Sequence, residues 1–177
     1  MPIVASAGAK FEVCPAGSHV GVCIDVVDLG MVKSNYAGKT KTQHKIRIVW
    51  QVSENREDGK PFHVSKRYTL SLHEKSTLRK DLESWRGRAF TDSELEGWDV
   101  EGVIGVGAML SVVQTAQQGT VYANVSAIMR PPKGMPVPSA DPSYVRVQDR
   151  PKDEAPGNAD NAPETGEWQP TDDDVPF

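Results

Sequence analysis

Between residues 19 and 129 the hydrophobic positions follow two rhythms. HVGVCIDVVDL, residues 19 to 29, is dense in Val and Ile and runs into Gly30, which predicts a strand ended by a turn. The next stretch, MVKSNYAGKTKTQ, is polar and basic and contains Gly38, so a loop is expected there. In HKIRIVWQV, residues 44 to 52, Ile46, Ile48, Trp50 and Val52 fall on one side and Lys45, Arg47, Val49 and Gln51 on the other. A period of two over this length predicts a half-buried strand. SENREDGKP supplies the residues of a hairpin loop, and FHVSKRYTLSL after it predicts a third strand with Val64, Tyr68, Leu70 and Leu72 in register. Lys66 interrupts that face, which puts it at a barrel mouth or marks an irregular register.

The rhythm then changes. In KSTLRKDLESWRG the apolar Leu78, Leu82 and Trp85 stand four and three apart, the stripe of a helix that Ser76 or Thr77 can cap and Gly87 can end. Thr91 to Glu94 has capping-box spacing and predicts a short helical turn ending near Gly97. AMLSVVQT and TVYANVSAIM flank QQG and read as a final hairpin. Three strands, a helix and two strands on one small core predict an all-β fold. The expected form is a five-stranded OB-fold barrel with the helix between strands 3 and 4, its closure removing exposed edges. A helix there disfavours an immunoglobulin-like sandwich; an unrelated α+β roll is the competing arrangement. From Pro131 onward the chain holds ten of its 13 prolines and neither rhythm appears. The expected organisation is therefore a domain over 1–130 and a disordered Pro-rich, acidic tail over 131–177. As a flexible coil, such a tail reaches roughly 30 to 40 Å.

Charge sharpens this division. The net charge is -4, yet residues 136 to 177 carry three basic and ten acidic side chains. Residues 33 to 67 carry nine Lys or Arg against Glu54, Glu57 and Asp58. A basic patch on a body joined to an acidic tail points to a nucleic-acid partner, and to a tail that competes with it for the patch. Deleting such a tail is expected to tighten nucleic-acid binding at low salt. No stretch approaches the roughly 18 apolar residues of a membrane helix, so no membrane partner is expected. With two cysteines and no basic-then-apolar start, the chain reads as a cytoplasmic protein.

The chain ends TDDDVPF. Phe177 offers a ring for an apolar pocket and a terminal carboxylate for a cation beside it. Pro176 keeps Val175 extended, and Asp172, Asp173 and Asp174 attract a basic rim. This ending resembles the tip of bacterial single-stranded DNA-binding proteins, with Val175 where isoleucine is usual. The body resembles the OB-fold single-strand binders of bacteriophages, chiefly in VVDLGMVKSNYAGKTKTQHKIRIVWQV. The resemblance implies binding and protection of single-stranded DNA during replication, recombination or repair. It also implies recruitment of partner enzymes through Asp172, Asp173, Asp174, Val175, Pro176 and Phe177. If the chain is phage-encoded, its compartment is the host-cell cytoplasm. The bacterial tetramer is not carried over, and a homo-oligomer is left open.

Single-strand binding needs cations for phosphates and rings for bases. The expected loop offers Lys33, Tyr36, Lys39 and Lys41; the second strand offers Lys45 and Arg47, and the third Lys66 and Arg67. Tyr36 has no evident core to join. Tyr122 reads as outward-facing, and Phe62 as a stacking residue or a loop anchor. Trp50, Tyr68 and Trp85 read as core, and Trp168 as a solvated ring in the tail.

Catalysis finds little support. Cys14, His19 and Cys23 match no zinc spacing and lack a fourth ligand. His44, His63 and His73 suggest no triad, and GVIGVG (102–107) does not join a strand to a helix. Asp25 and Asp28 form a weak nuclease-like pair, whose signature would be Mg²⁺-dependent cleavage. The expectation is a protein that is not an enzyme and needs no cofactor. The alternative is a decoy that uses the tip to engage host replication enzymes without binding DNA.

Overall fold

The computed structural model describes residues 12–151. They are mostly β: β1 (Gly17–Tyr36), β2 (Lys39–Asn55), β3 (Pro61–Thr69), β4 (Gly107–Gln117) and β5 (Thr120–Met129). Two helices, α1 (Thr77–Arg86) and α2 (Asp92–Glu96), and a 3-10 turn at Val100–Val103 lie between β3 and β4. The strands form one antiparallel sheet in the order β3-β2-β1-β4-β5. The sheet curls enough for its two edge strands, β3 and β5, to approach each other. Register shifts in β1 between Cys23 and Asp25 and between Asp28 and Gly30 supply the bend. Gly17–Val22 pair with β4 and the strand from Gly21 onward pairs with β2, so Gly21 and Val22 are held on both sides.

The expected periodicities become burial. Ile46, Ile48, Trp50 and Val52 all enter the main core, as do Val64 and Tyr68 from β3. Leu78, Leu82 and Trp85 of α1 pack on them, with the Trp50 and Trp85 rings 5.8 Å apart. Ser76 caps α1 through the Arg79 N–H, and Gly87 closes it in the left-handed region at φ 74°. Two bonds fix α1 across the sheet's end: Trp85 Nε1 donates to the Gly107 carbonyl (2.7 Å) and Ser84 Oγ to the Ile128 carbonyl (2.8 Å).

Two expectations need correction. Residues 31 to 43 are not a loop: β1 and β2 run on as a paired ribbon to a turn at Ala37 and Gly38, both at positive φ. The ribbon is wetted on both faces, so no apolar alternation marks it. The second correction concerns the expected tail. The boundary at residue 130 does not mark where the described structure ends, because residues 139 to 150 form a strap over the sheet's outer face. Gln51 binds both the Ser139 carbonyl and the Asp141 N–H, and Tyr144 and Val147 pack on Val22, Ile24, Val27 and Val49. Pro-rich composition hides this segment, since side-chain and backbone bonds at irregular spacing hold it in place. Residues 152 to 177, Trp168 and the tip among them, lie outside the described residues.

Candidate nucleic-acid interface

Strand alternation on β2 sends Ile46, Ile48 and Trp50 inward and therefore Lys39, Lys41, Lys45 and Arg47 to the opposite, outer face. Cross-strand pairing adds Tyr36, opposite Lys39, and Arg67, opposite Arg47. Six of the ten expected nucleic-acid contacts thus fall on one stripe. From residue 39 to 47 it spans roughly 27 Å at strand rise. Tyr36 is 42% exposed. Lys45 Nζ donates to Thr69 Oγ1 at 2.6 Å, which orients it along the sheet.

The other four separate from the stripe. Lys33 pairs with Thr42, so alternation places it on the ribbon's reverse face. Lys66 points inward, where its ammonium lies 2.8 Å from Asp81 of α1, a carboxylate that also accepts from the Tyr68 hydroxyl at 2.8 Å. Burial, then Asp81, pushes the Tyr68 phenol well above its ordinary 10, so it remains a donor. The interruption seen at Lys66 is thus a polar contact between β3 and α1. Phe62 is buried in the core, which removes it as an open stacking platform. Tyr122 is half-buried and lines a cleft.

That cleft, of about 520 Å³, wraps the edge of β3 and reaches β5. Arg47, Arg56, Lys60, Lys66 and Arg67 face it, with the carboxylates of Glu12 and Asp141 at its walls. Arg56 is partly neutralised by Asp58 at 2.7 Å. The Ser143 hydroxyl and N–H both bond Asp141 and hold its carboxyl below the usual range, so it is anionic at neutral pH. Arg56 and Lys60 were not singled out in the sequence, because their loop reads simply as a turn.

Groups that suggested other chemistry are otherwise engaged. Asp25 is buried beneath the strap, whereas Asp28 is exposed and bonded to His44 (2.6 Å). His19 meets the Pro15 carbonyl at 2.7 Å and Glu54 at 3.4 Å. Burial pushes the Cys14 thiol up to about 11 and the Cys23 thiol up to about 12, leaving both protonated and unreactive at neutral pH. Among the described residues no three His, Cys, Asp or Glu gather as a metal site, and no helix is long and apolar enough to cross a membrane. No protein-family model matches the chain, and a search of curated proteins finds no match.

Proposed function

We propose that this protein is a non-catalytic single-stranded DNA-binding protein on an OB-fold. It coats exposed strands without strong sequence preference during replication, recombination or repair, and its C-terminal tip recruits partner proteins. The observation that carries the reading is the outer stripe of Tyr36, Lys39, Lys41, Lys45, Arg47 and Arg67. Cations repeat along an extended track, exposed at Lys39, Lys41 and Arg67 and half-buried at Lys45 and Arg47. With a ring at one end, the track suits a flexible polyanion whose bases are free to stack. A duplex, whose bases are already stacked, gains nothing from Tyr36. The OB-fold reading draws support from the strand order, the helix after β3 and the close approach of the edge strands. The phage-like body and bacterial-type tip remain resemblances of sequence that agree with it.

Fluorescence anisotropy of labelled oligo-dT and a matching duplex, across a salt series, tests the proposal. Strong preference for the single strand is expected. Its log affinity should fall with log salt at roughly -0.7 per neutralised phosphate. Tyr36→Ala should cost about 1–3 kcal/mol. Equal affinity for duplex, or no binding at all, would overturn the reading.

A further inference from the structure

The strap lies across the end of the stripe. Its Tyr144 ring meets His63 of β3 edge-on, with centroids 5.4 Å apart. Its backbone at Ser139 and Asp141 binds Gln51 of β2 (2.9 and 2.7 Å). Asp25 of β1, 1% exposed, accepts from Tyr144 Oη (3.0 Å), Arg146 Nε (3.1 Å) and the Val147 N–H (2.8 Å). Arg146 reaches on to Glu101 at 2.7 Å. Lifting the strap would strip three donors from a buried carboxylate and uncover Val22, Ile24, Val27 and Val49. It is built as a wall rather than a lid.

Resting on the single-strand reading above, we propose that this wall sets the route of the bound strand. Beyond Arg47 the next outward positions of β2 are Val49 and Gln51, both buried under the strap. A strand following the stripe cannot continue straight. Arg67, Arg56 and Lys60 are among the cations that line the cleft around the edge of β3. The strand therefore turns across β3, and the cleft receives one nucleotide, its phosphate on Lys60 and its base on Tyr122. At about 520 Å³ the cleft is the size of a site for one small ligand. Asp25 and Gln51 act as positioning residues, since they hold the strap that enforces the turn.

Amide hydrogen exchange of the full chain, with and without saturating oligo-dT, reads the wall directly. The Asp141 and Val147 amides should stay protected when DNA is bound, and faster exchange would show the strap swept aside and overturn the proposal. Anisotropy titrations read the cleft. Lys60→Ala should reduce the salt slope by about 0.7. Tyr122→Ala should weaken oligo-dT binding roughly 5- to 150-fold. If both variants bind like the unaltered protein while Arg47→Ala is impaired, the cleft is not on the route and only this proposal fails. If the unaltered protein does not bind oligo-dT, the single-strand reading fails and this one with it.

Discussion

Glu94 shows how much a single half-buried side chain organises. Its carboxylate accepts the Thr91 N–H that opens α2 (2.9 Å), then the Arg86 guanidinium at 2.6 Å and Arg88 at 3.2 Å. Arg86 in turn lies over the Phe90 ring, 4.3 Å from its centroid. The Thr91 N–H first, then Arg86, lowers the Glu94 carboxyl from an ordinary 4.5 to about 2. A carboxyl depressed by folding stabilises the fold fully above its ordinary value, and that contribution drains as pH falls from 4.5 towards 2. Carboxyl titration by NMR should place Glu94 near the bottom of the carboxylates. Glu94→Gln should remove stability at pH 7 and leave it little changed at pH 2. The capping-box half of this site was legible in Thr91-x-x-Glu94; the arginines were not, because they arrive from the end of another helix.

Among the elements, β1 carries a tight backbone constraint. At Gly21 it pairs with Val52 on one side and Ala108 on the other. A Cβ there would stand 2.9 Å from the Gln51 carbonyl oxygen and 3.2 Å from Leu110 Cδ1. Backbone on one side cannot yield, so Gly21→Ala should cost about 1–3 kcal/mol, seen as a lower urea midpoint with unchanged slope. The same strand explains why the ribbon escaped the hydrophobic pattern. Past Gly30 the pair β1–β2 leaves the core, so its alternation is polar on both faces. Yet the Lys39, Lys41, Lys45, Arg47 spacing was present throughout as a period of two in charge.

Over the whole molecule, the strap joins the last described segment to the first strand. A chain ending at Met129 should lose several kcal/mol, because Val22, Ile24, Val27 and Val49 lose their apolar cover. A chain ending at Pro151 should unfold at the same urea concentration as the full protein. Equal stability of all three in urea melts would show that the strap contributes nothing to the body. Arg56 and Lys60 become part of a cleft only because the sheet curls and brings β5 to the edge of β3.

By itself, the sequence determined the elements whose pattern is written locally. Period two in Ile46 to Val52 made a strand, the Leu78, Leu82, Trp85 stripe made a helix, and the caps at Ser76 and Gly87 set its ends. It also determined which residues of β2 share a face, because alternation needs no partner to be true. The tertiary structure alone decided what each face meets. It turned Lys66 inward to Asp81, buried Phe62, and laid a Pro-rich segment over Asp25 and Gln51. Those outcomes rest on contacts between residues up to 122 positions apart. Local periodicity carries no record of such pairs, since a donor and an acceptor become partners only when the folded backbone brings them within reach.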